Sequence, residues 1–246
     1  MTRAGVRALL LASIGVIAAA ALGFSALRRD SHTQASNAPG QRPTLMLLTS
    51  LPLIFSEDFS LKGGGSPALQ QLESRYRMVP ISVTSPNELA KGRLLLIAQP
   101  LAQTPENLVA LDDWVRRGGR LMLLADPMLE WPSKRPLGDP LRPPPMFADT
   151  GLLGHWGLRL DAPDERGPVL RQLAGREIET VSPGAFFGRC AISADRLVAR
   201  CAIGRGEAVL VADADFLNLA DMDGPAGNNV SALLGKLERL GAGVTD

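Results

Sequence analysis

The chain has 246 residues, with 26 Lys and Arg against 25 Asp and Glu, for a formal net charge of +1. Near-neutral charge gives no broad basic surface for a phosphate backbone, so nucleic acid is set aside as a partner. Two cysteines and two histidines leave almost no room for a zinc site of the usual kind, and no cofactor is assigned.

The first element in chain order is a stretch of 20 residues, Ala8 to Leu27, without one charge. At about 1.5 Å per helical residue it measures ~30 Å, one hydrocarbon thickness. Arg3 and Arg7 precede it and Arg28 and Arg29 follow it, so only the N-terminal amine tips the start inward. The expectation is a single N-in, C-out anchor in the inner (plasma) membrane, with the rest facing the periplasm or exterior. The rival is a cleaved signal peptide, since Ala18 to Ala21 and Ser25-Ala26 are small enough for a signal peptidase. No second long apolar run follows, so one crossing at most is expected. Residues 1–29 are read as the anchor and 30–43, polar with Ser, Asn, Pro, His32 and no apolar period, as a flexible linker.

An α/β domain is expected over 44–242, about 200 residues and enough for one well-buried core. Leu45 to Leu48 reads as a buried strand, Pro67 to Tyr76 as a helix, Met78 to Val83 as a strand. Leu94 to Ala98, a helix from Pro105 to Arg117 and Leu121 to Leu124 form the clearest unit. Thr104 can cap that helix with Pro105 at its first position; Leu108, Leu111 and Val115 share a face, with Trp114 as core, and Gly118 ends it. Alternation of this kind specifies a mostly parallel sheet flanked by helices, joined by right-handed crossovers. A proline-rich loop, 131–145, breaks the pattern. A short helix from Thr150 to Trp156 follows, then strand-like alternation from Pro168 to Ile203 with a β-hairpin elaboration near 186–203. Ala208 to Val211 is a last buried strand. A helix from about Asn229 places Val230, Leu233, Leu234 and Leu237 on one face and closes the sheet.

If the hairpin turns on Asp195-Arg196, Cys190 and Cys201 lie opposite each other, and an exported domain permits a disulfide. Paired buried thiols are the alternative; a catalytic cysteine is disfavoured because neither follows a strand-to-helix turn. Gly63-Gly64-Gly65-Ser66-Pro67 precedes the first helix, where phosphates can bind, but it lacks the nucleotide-binding spacings and reads as a loop and cap. Asp126, Asp213 and Asp215 each follow a strand and could converge on a ligand or metal at the carboxyl ends of the sheet, joined by Asp221, Asp223 and Asn228. Their plainer reading is as caps and turns. His155 reads as a structural histidine, and Ser231 sits inside the last helix without a nucleophile elbow. No catalytic residue is assigned.

LDDWVRRGGRLMLLADP, from Leu111 to Pro127, and GRGEAVLVADADFLN, from Gly204 to Asn218, with the following GNNVSALLGKL, resemble the periplasmic domain of GldG-like auxiliary proteins of ABC-type transport systems. The resemblance implies a fold akin to class I glutamine amidotransferases, with ABC permease and ATPase subunits as partners. Enzymes of that fold carry a nucleophilic cysteine on the turn after a central strand; here that turn reads Ala125-Asp126-Pro127. The expectation is therefore a membrane-anchored, non-enzymatic transport auxiliary that binds a partner or ligand. The alternatives are a degenerate or metal-dependent hydrolase using the acidic strand ends, or a solute-binding module.

Overall fold

The computed structural model describes residues 42–55, 65–218 and 226–244. The uncharged stretch 8–27, nearly all of the linker, Gly63, Gly64, Asp221 and Asp223 lie outside the described residues. Among those described, no helix is long and apolar enough to cross a membrane.

Eleven strands occur among the described residues. In chain order the elements are β1 (Thr44–Thr49), α1 (Pro67–Arg75), β2 (Arg77–Pro80), α2 (Pro86–Leu89), β3 (Leu94–Ala98), α3 (Pro105–Arg116) and β4 (Arg120–Leu124). There follow α4 (Leu152–His155), β5 (Leu158–Asp161), β6 (Pro168–Leu173), β7 (Arg176–Val181), β8 (Ala185–Gly188), β9 (Ala191–Ile192), β10 (Val198–Ile203) and β11 (Gly206–Val211). A 3-10 turn (Asp215–Leu217) and α5 (Ala226–Ala242) complete the domain. Seven strands form one sheet in the order β2-β1-β3-β4-β11-β10-β9. The pairs β1 with β2, β1 with β3, β3 with β4 and β4 with β11 are parallel, while β10 and β9 close one edge antiparallel. The expected mixed α/β architecture with a mostly parallel, helix-flanked sheet is what the chain forms.

β3 and β11 are buried along their whole length, as continuous apolar strands covered on both faces must be. α1 touches α5, which lies on β4, whereas α2 touches α3, which lies on β11. Right-handed crossovers place these two groups on opposite faces. The α3 unit forms for the reasons its sequence shows. Thr104 Oγ1 accepts from the Asn107 amide at 3.4 Å, Pro105 opens the helix, and Leu111 and Val115 are buried. Val230, Leu233 and Leu237 of α5 are likewise fully buried.

Several boundaries differ from expectation. β2 ends at Pro80, whose missing N–H cannot extend the ladder, and Tyr76 is the extended cap of α1 and not part of it. The helix expected over 150–156 keeps only one turn, and α5 begins three residues early. The expected hairpin near 186–203 is smaller than read: β8 leaves it to pair antiparallel with β5, because Gly188 (φ +145°) turns the chain where its backbone lies against Gly157. Only Ala191–Ile192 pairs with β10. The register Ala199 to Ile192 and Arg200 to Ala191 runs on to Cys201 opposite Cys190. These two are bonded, with Cα atoms 4.9 Å apart. A further hairpin, β6 with β7, leans on α5.

Candidate functional site

The fold brings Asp126, Asp213 and Asp215 together at the carboxyl ends of β4 and β11, all three almost fully buried. Their oxygens are already engaged. Asp126 Oδ1 accepts from the Met128 amide and Oδ2 from the Ala214 amide, each at 2.8 Å. Asp213 accepts from Val181 at 3.0 Å and from Phe216 at 2.9 Å, and Asp215 from Glu130 at 2.7 Å. These bonds tie the start of the proline-rich loop, the end of β7 and the 3-10 turn to the sheet.

Burial raises all three carboxyls. Asp126 is pushed up to about 6 by desolvation and the Glu130 charge, against the lowering effect of its amide bonds. Asp215 reaches about 8 through desolvation and the charges of Asp126 and Glu130. Asp213 lies well above the usual carboxylate range, first from desolvation and then from Asp126 and Asp215. Mutual proximity in a dry site thus favours shared protons. None of the three lines the open recess over β1 and β3. No group of three or more His, Cys, Asp or Glu there is arranged to hold a metal ion.

Sequence reasoning missed the polar partners of this cluster. Gln99, fully buried at the end of β3 with φ +42°, donates through Nε2 to the carbonyls of Asp126 (3.2 Å) and Pro144 (3.0 Å). Its Oε1 accepts from the Asp126 amide at 3.0 Å. An amide side chain directly after the run LLLIA and before Pro100 was the available signal. Asn229 is also fully buried and bonds Glu179 and Phe216 backbone groups, whereas the candidate Asn228 is exposed.

The other candidates stay structural. Ser66 Oγ caps α1 by accepting from Leu69. Ser231 Oγ donates to the Gly227 carbonyl within α5. His155 lies 3.4 Å from Asp112, whose second oxygen accepts the Trp156 indole N–H at 2.8 Å, so the pair joins α4 to α3. Burial pushes the Asp112 carboxyl up, but bonds from Arg116 and Trp156 outweigh it and hold it below the usual range.

An open recess does occur beside the acidic cluster, over the carboxyl ends of β1 and β3. It has a volume of about 340 Å³ and is lined by Thr49 to Pro52, by Leu101, and by Arg135, Pro140 and Leu141 of the proline-rich loop. The winding of the sheet reverses between β1 and β3, since β2 lies outside β1 and β4 outside β3. Ligands of open α/β sheets bind at such a switch point.

No family model and no curated protein matches this sequence. Similar solved structures include the exo-β-1,4-mannosidase Op5Man5 from Opitutaceae bacterium strain TAV5, at 16% identity and TM-score 0.43, covering 82% of this chain and 34% of that one. Gan42B, a GH42 β-galactosidase from G. stearothermophilus, gives 14%, 0.48, 81% and 30%. The cytoplasmic protein STM3548 from Salmonella typhimurium gives 11%, 0.47, 79% and 98%. The chain spans about a third of the length of the two glycosidases. The expectation of an ABC transport auxiliary is corrected here: glycoside hydrolases are among the likenesses, and none of the proteins named is a transport component. At such TM-scores they assign no activity to this chain.

Proposed function

We propose that the domain is a solute-binding module whose ligand sits in the recess over β1 and β3. The observation that carries this reading is the coincidence of an open recess with the switch point of the sheet, while the neighbouring carboxylates are consumed by backbone amides. Its rim is apolar: Phe55, Leu101 and Leu141 are 64%, 52% and 57% exposed. Arg135, which pairs with Asp139 at 3.6 Å, brings a guanidinium to the same wall. A small solute with an apolar body and one anionic or strongly polar group matches that lining. Gln99 holds the proline-rich loop to the sheet through the Pro144 carbonyl, so the two walls are built with little entropy left to lose on binding.

The test is a thermal-shift screen of small carboxylic acids and polar aromatics, followed by calorimetry with Leu101→Asp and Leu141→Asp. Both variants sit on exposed positions, with an unchanged circular dichroism spectrum as the check that the fold is kept; each is expected to weaken a bound solute at least about tenfold. Binding that ignores both changes would move the ligand elsewhere.

A second reading is favoured by one observation, the gathering of Asp126, Asp213 and Asp215 at the carboxyl ends of β4 and β11, where burial raises all three carboxyls toward the range of an acid or base. Turnover of nitrophenyl glycosides or esters that Asp215→Asn abolishes would establish hydrolysis instead. For residues 8–27 we propose a membrane anchor. Retention of the full chain on membranes through a carbonate wash supports it, and a soluble, N-terminally shortened product would establish the signal peptide.

A further inference from the structure

A second recess lies at the opposite end of the strands. The five parallel strands start with arginine: Arg42 lies two residues before β1, Arg77 and Arg120 open β2 and β4, and Arg93 and Arg205 immediately precede β3 and β11. The register makes these ends level, with Thr44 beside Arg77, Leu94 beside Arg120 and Arg120 beside Glu207. Arg117, capping α3, joins them.

Four of these side chains, Arg93, Arg117, Arg120 and Arg205, surround a recess of about 510 Å³ whose floor is Gly118-Gly119 and whose wall is Trp114. The glycines are what make it. Gly118 has φ +110°, and a Cβ there would come 3.3 Å from Arg93 Nη2. A Cβ on Gly119 would come 2.3 Å from the Trp114 ring, so only bare backbone lets the indole lie where it does. The floor is held by bonds from the Gly118 and Gly119 amides to Val115 and Trp114, from Arg120 to the Arg93 carbonyl and from Arg205 to the Arg116 carbonyl.

Charge around this recess is not balanced. Glu207 accepts from Arg120 at 3.0 Å and also from Arg200, and Asp113 takes Arg117 at 3.4 Å. Arg93 and Arg205 are exposed and carry no carboxylate partner among the described residues. Guanidinium forks match the oxygens of a tetrahedral anion in pairs, and an excess of them around a glycine floor leaves room for the anion between them. The recess is too small for a duplex, and the aromatic wall suits a ring or glycerol unit beside the charged group.

We propose that this recess is an oxyanion site that takes a phosphate group, carried either by a soluble phosphoester or by a lipid headgroup. It is separate from the solute recess, which lies at the other end of the same strands.

The experiment uses the full chain in non-ionic detergent micelles and, separately, in nanodiscs of phosphatidylcholine with or without phosphatidylglycerol. Inorganic pyrophosphate is titrated by calorimetry in the first arm. In the second, hydrogen exchange is followed at the amides of residues 118–120 and 205. The soluble source gives saturable pyrophosphate binding, weakened at least about tenfold by Arg93→Gln with Arg205→Gln and by raised salt, but not by Arg166→Gln on a distant exposed loop. The lipid source gives slowed exchange only in phosphatidylglycerol discs, lost in the same double variant. Absence of both effects, or effects that survive the double variant in a folded protein, overturns the proposal.

Discussion

The two ends of the parallel strands treat charge in opposite ways. At the carboxyl end, Asp126, Asp213 and Asp215 are buried, and five of their bonds come from backbone amides. At the amino end, Arg93, Arg117 and Arg205 stand in solvent around a recess. Buried charge must be satisfied internally, and a side chain that satisfies backbone groups holds loops in place and is not left for a ligand. Exposed charge on a rigid strand end has no such duty. The comparison therefore assigns stability to the buried acids and anion binding to the exposed arginines, and each assignment can be broken by substitution.

The largest effect is expected at Asp213. Asp213→Ala strands the Val181 and Phe216 amides and opens a small void, costing about 3 to 4 kcal/mol. Arg93→Gln, at the open end, is expected to stay within about 0.5 kcal/mol. Chemical denaturation of the two variants measures both. Equal costs would erase the distinction between the ends.

The pH dependence sharpens the same contrast. Folding holds protons on Asp126 up to about pH 6 and on Asp215 up to about pH 8, whereas the unfolded chain releases them near ~4. The folded state therefore binds more protons, and its advantage is complete below ~4 and is lost as pH rises through those two values. Between about pH 5 and pH 9 the midpoint of thermal unfolding is expected to fall by several degrees. Asp215→Asn removes the upper part of that fall. A profile that stays flat in wild type would show that these carboxyls ionise freely.

How far this division was legible in the sequence depends on the length scale of the interaction. The parallel strands and α3 were legible because apolar runs, Thr104-Pro105 and Gly118 are local signals with local causes. The Cys190 to Cys201 pairing was legible too, since symmetry about a tight turn fixes opposition even though the ladder proved shorter than read. Asp126, Asp213 and Asp215 were found as a group from their strand-end positions. Their structural duty was hidden, because it depends on amides of Glu130 and Val181 far away in the chain. The arginine row escaped attention for a related reason. Five single arginines spread over 164 positions do not register as a basic patch until the strands are aligned.

The disulfide offers a medium-sized test at the antiparallel edge, away from both ends. A closed loop with sequence separation 11 gives at most about 3 kcal/mol by loop entropy. Cys190→Ser with Cys201→Ser should lose about 1 to 3 kcal/mol while leaving the pH profile of the acidic end unchanged. A changed profile would couple the edge to the acids, which no bond among the described residues does.

The smallest effect concerns a polar group at the amino end that is buried without being satisfied. Tyr76, the extended cap that leads into β2, is 3% exposed, and its hydroxyl has no hydrogen-bond partner among the described residues. Burial and the Glu238 charge push it up to about 12, so it stays a neutral, stranded donor. Removing one partner of a satisfied pair strands the other, but removing a group that has no partner strands nothing. Tyr76→Phe should therefore leave stability unchanged or raise it by up to about 1 kcal/mol, the reverse of the change at Asp213. Urea denaturation of the two variants side by side checks this. A loss beyond about 1 kcal/mol for Tyr76→Phe would mean that the hydroxyl holds a bound water, and that the amino end, like the carboxyl end, stabilises itself with buried polar bonds.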